Sequence, residues 1–319
     1  TLDDASLVTP RGNTIAAGAT PIYELIADHA RTLRQTRPQK TPAQLVECVG
    51  DLLQLPNRAE VPHFRILRGA AVGTTRVARY AVETERNVRA ILHKPMVTAT
   101  HIHTLDVESS VSLFLPHLAA DEELAGTAFG GVGDGRGNSL AATLAQGPEA
   151  LYLLDARGLG ESRPDETGDF FHPYGMDYMF HGHELLFGGS YLGQRVHDVL
   201  STLDLLVAEG AGRITLYGRG QGALLATYAA LLHDAVKKVL LQHAPLSYHA
   251  MTQVPLVTWP VAGFPRGVLA HFDLPDLYRA LGTRLTLLQP WDEMMQPLRG
   301  TRLQRALKDA GLSPKRVHG

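Results

Sequence analysis

Cysteine is nearly missing: one residue, Cys48, in a chain of 319. A lone cysteine cannot close an internal disulfide or build a cysteine-based metal site, and it leaves the compartment open. It lies in TPAQLVECVGDLL, a helical pattern in which it reads as a packed or idle thiol. An excess of one charge is also missing. Lys plus Arg number 30 and Asp plus Glu 32, a formal net charge of −2. No global basic field therefore advertises nucleic acid or an anionic membrane as partner. No apolar run reaches the ~18 residues of a membrane-spanning helix. The first residues, TLDDASLVTP, lack the basic and apolar regions of a secretory leader. A secreted or periplasmic bacterial protein whose leader has been removed fits as well as a cytosolic one. The last residues, SPKRVHG, offer no closing cap, and we expect a piece of a longer chain. There is no internal repeat and no low-complexity tract, and no feature gives a basis for a cofactor.

What is present is the composition of an ordinary globular protein, with 45% hydrophobic and 19% charged residues. The length suits one large α/β core with an extension. Residues 1–20 read as coil and 21–36 and 42–55 as helices, the second with Thr41 as N-cap and Pro42 at the first helical position. Pro56 and Pro62 close this block. The expected organisation is a helical N-terminal extension over 1–58 and an α/β domain over 59–319. From about 61 to 116, HFRILRG, TRVARYAVETE, VRAILHK, THIHTLDVE and SVSLFLP read as antiparallel strands. From 124 onward the rhythm becomes strand, turn, helix: strand 124–131, helix 138–146, strand 150–158, an insertion over 161–190, then a long amphipathic helix. Strand 213–217, helix 221–233, strand 237–243, helix 276–281, strand 284–289 and helix 301–310 follow. Near-continuous apolar strands alternating with helices imply a mostly parallel sheet covered on both faces.

The stretch ITLYGRGQGALLATYAALL, residues 214–232, carries the sharpest signal. It reads as strand, glycine turn and helix, and Gly218-Arg219-Gly220-Gln221-Gly222 has the spacing of the G-x-S-x-G nucleophile elbow. The flanking glycines suit a turn where a side chain would meet neighbouring backbone. The N–H of Gln221 would face an oxyanion at a helix N-terminus. The position of the nucleophile, however, is Gly220, which has no side chain to attack with.

On these residues the chain resembles the α/β hydrolases, and within them the carbohydrate esterases of the acetyl-xylan-esterase and cephalosporin-deacetylase type. YLLDARGLGESRP resembles the D-x-R-G-x-G-x-S segment after the fourth strand. HDVLSTLDLLVAEGAGRITLYGRGQGALLATYAALLHDAVKKVLLQHAP resembles the block around the elbow, and LTLLQPWDEMMQP the end of the seventh strand, where the family holds its catalytic acid. The resemblance spans roughly 60–312. It implies an α/β-hydrolase fold, Asp292 as acid and a histidine base later in the chain. His318, 26 residues on (318 − 292), is the candidate. The resemblance also implies acylated carbohydrate as ligand. Gly220 leaves three readings open: a natural loss of the nucleophile, a displaced nucleophile or water attacking under a histidine base oriented by Asp292, or an engineered change.

Other serines lack the elbow's surroundings. Ser162 reads as a loop cap, Ser139 as a helix N-cap, and Ser190 and Ser247 as loop residues. Asp155 and Arg157 read as a structural pair, and Asp198 as a helix–loop contact. The insertion FFHPYGMDYMFHGHELLFGG is rich in aromatic residues and histidine. Tyr174, Tyr178, Phe180 and His183 could line a sugar-stacking cleft over the strand ends, as could Trp259 and Trp291, or the insertion is a lid packed on the core. His101-x-His103 and His181-x-His183 have spacings that can present two imidazoles together. HIH has only Asp106 at a matching spacing and HGH lies beside Glu184; an H-x-H pair alone is a weak metal signal, and no metal site is assigned.

Overall fold

Thr41 begins the second helix as the spacing implies, its hydroxyl accepting from the N–H of Gln44 while the Gln44 side chain returns to the Thr41 N–H. The structure is a computed structural model that describes residues 18–58, 60–96, 104–128, 139–164, 173–314 and 317–318. Helices α1 (Ile22–Thr36) and α2 (Pro42–Leu53) lead into strands β1 (Phe64–Val72), β2 (Thr75–Glu85) and β3 (Val88–Met96). Then follow β4 (Ser110–Leu115), α3 (Ala120–Ala125), α4 (Leu140–Leu144), β5 (Ala150–Asp155), α5 (Asp177–Phe187) and α6 (Tyr191–Ala208). The last part runs β6 (Arg213–Arg219), α7 (Gln221–Leu232), β7 (Val236–Gln242), α8 (Tyr248–Met251), α9 (Leu274–Leu281), β8 (Leu285–Leu288), α10 (Gly300–Ala310) and β9 (Val317–His318).

The nine strands form one sheet in the order β1-β2-β3-β5-β4-β6-β7-β8-β9. β1, β2, β3 and β5 pair antiparallel in turn, and every pair from β5–β4 to β8–β9 is parallel. This is a mostly parallel sheet with an antiparallel start, flanked by helices. The chain leaves β4 toward β5 on one side, and β6 lies on the other. The crevice between the carboxyl ends of β4 and β6 is thus the topological switch point, the place where open α/β sheets bind ligands.

Two sequence expectations differ here. SVSLFLP is not an antiparallel strand: Ser110–Leu115 sits in the middle of the parallel part, between β5 and β6. An apolar run buried on both faces carries no mark of its direction. The strand expected over 124–131 begins inside α3, where Asp121, Glu122 and Glu123 occupy the first turn and favour a helix N-terminus. Residues 129–131 lie outside the described part, as do 100–103 of the expected strand THIHTLDVE. The remainder of that strand, 104–108, is not strand.

Leu45, Val49 and Leu53 of α2 join the same hydrophobic cluster as β4, β6, α6 and α7. Helix α1 buries only Ala27 and Ala30. Helix α6 is buried nearly all round, polar residues included. Among the described residues no helix is long and apolar enough to cross a membrane.

Candidate functional site

At the end of β6 the chain turns sharply into α7. Gly220 has φ 55° and ψ −116°, a conformation that an L side chain rarely adopts. The flanking glycines are there for space. A Cβ at Gly218 would lie 2.5 Å from the Gly222 carbonyl oxygen, and one at Gly222 would lie 2.0 Å from that of Leu115. This close approach sets the switch-point ends of β4 and β6 side by side.

The space a serine would enter is filled by a residue the sequence reading did not single out. A Cβ built at Gly220 would lie 2.1 Å from Nδ1 of His117, two residues beyond β4. The Gln221 N–H, the expected oxyanion donor, donates to this Nδ1 at 3.1 Å. The Gln221 side-chain amide also donates to the His117 carbonyl at 3.1 Å. Because Nδ1 accepts, the proton of the neutral imidazole sits on Nε2. Burial, then the Arg219 charge, pulls the His117 pKa down to about 3, so the ring is neutral at physiological pH. A neutral acceptor held by backbone occupies the place where an esterase would develop an oxyanion.

Around His117 lies a buried polar group. Arg219, next to the elbow glycine, donates to Glu123 at 3.0 Å, and the His117 N–H donates to the same carboxylate oxygen at 3.3 Å. Burial pushes the Glu123 carboxyl upward, and Arg219 partly opposes this. The His243 ring stacks on Trp291, with centroids 4.3 Å apart and planes 11° from parallel. Arg219 sits over the indole at 5.6 Å, and the His117 ring meets it edge-on at 5.8 Å. Burial, with Arg219 as a second cause, lowers the His243 pKa to about 3 as well.

The residues proposed from sequence separate into two groups. Tyr174 and Trp291 come together around His117: Tyr174 packs edge-on at 5.9 Å, and its hydroxyl donates to the Met295 sulfur at 3.0 Å. Tyr178 and His183, on α5, are exposed. Asp292 is buried beyond β8. Its Oδ1 accepts from the N–H groups of Met294 and Gln296, and its Oδ2 accepts from Arg302 at 2.5 Å. His318 lies in β9 with its side chain exposed, and its carbonyl accepts from the Gln289 N–H. The carboxylate at the acid position is thus bonded to an arginine and two amides. Trp259 is buried and donates to the Asp292 carbonyl at 2.8 Å.

The remaining polar candidates are structural. Ser139, Ser190 and Ser247 each cap a helix, and the Ser162 hydroxyl ties its loop to the Arg89 carbonyl. Asp155 bonds His93 at 2.9 Å rather than Arg157. Arg157 pairs instead with Asp198, at 2.6 Å, and with Glu85. His181 shares α5 with His183, and among the described residues no group of three or more potential ligands gathers there or elsewhere. His101 and His103 lie outside the described residues. A sequence signal for His117 did exist: it lies two residues past an apolar strand, at the carboxyl end where open α/β sheets bind ligands. It was hidden because β4 read as part of the antiparallel start.

No family model matches the chain, and no curated protein matches it either. Solved structures do. A Bacteroides fragilis protein, whose assignment as an acetyl xylan esterase is itself provisional, is 15% identical with TM-score 0.59, covering 90% of this chain and 79% of its own. An acetyl xylan esterase from Paenibacillus is 16% identical with TM-score 0.45, covering 90% of this chain and 91% of its own. Acetyl xylan esterase 1 from Thermoanaerobacterium is 14% identical with TM-score 0.41, covering 87% and 98%. The first of these likenesses, together with the sheet order, carries the architecture: the chain has an α/β-hydrolase fold.

Proposed function

We propose that the chain is a carbohydrate-esterase-like domain that binds acylated carbohydrate without cleaving it through a serine at the elbow. The single observation behind this reading is the occupation of the elbow by His117. No side chain at Gly220 offers an attacking oxygen, the space for one is taken, and the Gln221 N–H already has an acceptor. An oxyanion hole contributes to catalysis only when its donors are free to meet developing charge. Asp292 supports the same reading, because its carboxylate is engaged by Arg302 rather than orienting a base. The carbohydrate enters by analogy with the B. fragilis protein, and a fold by itself does not fix a ligand.

The test pairs two measurements on the full chain with acetylated xylooligosaccharide: calorimetric binding and release of acetate. Binding with acetate release no faster than in buffer is the expected result. Sustained release that disappears in Asp292→Asn would overturn the non-cleaving reading, and absence of binding would overturn the ligand.

A further inference from the structure

A second feature of the C-terminal strand edge lies beside the elbow group and shares Trp291 with it. Beyond the ends of β7 and β8, under the connection between α1 and α2, lies a cavity of about 1330 Å³. That exceeds the ~300–1,000 Å³ of an ordinary small-molecule site, and the cavity lies outside the carboxyl ends of β7 and β8, to one side of the switch point between β4 and β6. Its walls come from the end of α1 and the segment after it, from α8 and α9, from the Trp291–Glu293 turn, and from α10.

The carboxylates in this wall are largely spent. Asp273 accepts from Ser247, from the Tyr248 N–H and from the Leu274 N–H. Asp276 accepts from Arg37, Arg279 and the Asp273 N–H. Asp292 is held by Arg302 and two amides. Several cations, in contrast, lack a carboxylate. Among the described residues Arg34 bonds only the Asp309 carbonyl, Lys40 bonds only the His271 carbonyl, and Arg305 makes no hydrogen bond or ion pair. Glu293 and Asp309 are the carboxylates left to stand against these cations and Lys308.

Donors in the same wall are also unmet. Nη1 of Arg37, Nε2 of His249 and Nε1 of Trp291 are buried with no hydrogen-bond partner among the described residues. Arg37 Nη1 and Trp291 Nε1 are donors in any state, whereas His249 Nε2 donates only in one tautomer; a buried donor without an acceptor costs about 1–3 kcal/mol, so the two in this wall favour an acceptor-rich occupant. Burial, and then the charge of Arg34, lowers the His249 pKa, which marks the positive field at this wall.

We propose that this cavity binds a small oxyanion-bearing molecule, one that carries a phosphate or a carboxylate, between the α1–α2 connection, α8 and α10. Arginine forks at Arg34, Arg37 and Arg305 suit the planar or tetrahedral oxygens of such a group. The site shares Trp291 with the group around His117 and Asp292 with the acid position, and its test reads anion binding rather than acetate release.

The experiment is calorimetry on the full chain at constant ionic strength, with sodium phosphate, sodium glucuronate and neutral glucose as separate titrants. Arg34 and Arg305 are exposed, so Arg34→Gln and Arg305→Gln should keep the circular dichroism of the parent. At least one anion should bind with a dissociation constant of about 1 mM or below, with glucose silent. Each variant should weaken binding about tenfold, the loss of one charge-assisted contact. Phosphate alone, glucuronate alone or both would identify the recognised group as phosphate, carboxylate or their shared oxygens. Silence of both anions up to about 10 mM, binding untouched by the two variants, or equal binding of glucose would each overturn the proposal.

Discussion

At residue scale the elbow is decided by two side chains. Gly220 keeps the left-handed turn without a Cβ, and His117 uses the room this leaves. Restoring a serine is therefore not a simple repair. Gly220→Ser should lower stability by about 1–3 kcal/mol through overpacking against His117 and yield no acetate release. Adding His117→Ala should return part of that loss, so the pair is strongly non-additive. Urea midpoints of the two single variants and the double variant would check it; a stable, active Gly220→Ser protein would contradict the closed elbow. The glycine spacing made the turn legible in the sequence. The plug was not legible, because His117 and Gly220 are 103 residues apart (220 − 117) and meet only when β4 and β6 pair.

At the scale of elements, α6 is the hub. Arg195 pairs with Asp177 of α5 at 2.6 Å while donating to the carbonyls of Arg157 and Gly158. Asp198 receives the Arg157 side chain and its N–H, and also the Thr84 hydroxyl at 2.5 Å. The period in the sequence puts Leu192, Val196, Val199, Leu200, Leu203, Leu206 and Val207 on one face, and all of these but the exposed Val207 are buried, while the buried polar residues were not legible because their partners come from three separate elements. Near its start α6 also meets α2. A Cβ at Gly193 would lie 1.8 Å from the Leu53 carbonyl oxygen. In an open helix Gly→Ala would gain about 1 kcal/mol of propensity. Here the clash is with backbone and should outweigh that gain, so Gly193→Ala should destabilise by about 1–3 kcal/mol. Amide exchange in α2 should quicken more than in β4 or β6, since α2 is the element displaced. Unchanged exchange in α2, or a stabilised variant, would refute this packing.

Across the whole molecule, two buried neutral histidines next to one arginine set a pH limit. Both His117 and His243 ordinarily titrate at 6.5 and are pulled to about 3 in the folded chain. Between these values the unfolded chain binds more protons, so stability is full above pH 6.5 and falls as the pH drops toward 3. Each histidine contributes roughly 1 kcal/mol per pH unit in that window. Glu123, whose pKa is raised, acts in the opposite direction, and His181 and His249, whose pKa values burial lowers, act in the same direction as His117 and His243. The urea midpoint should drop clearly between pH 7 and pH 5, and His243→Asn should flatten the slope. A midpoint that stays level across this range would mean that the rings are accessible to water.

The sequence by itself determined many of the elements and the class of fold. Period, caps and glycine spacing are local, and they place α1, α2, β1–β3, the elbow and the strands β6, β7 and β8 close to their observed bounds, while β9 was not read from the sequence. Only the tertiary structure decided the order of β4 in the sheet, the partners of Asp155, Arg157 and Asp292, and the occupation of the elbow. These depend on which distant strands lie side by side. Hydrogen bonds and charges read distance in space, whereas a sequence pattern records only distance along the chain.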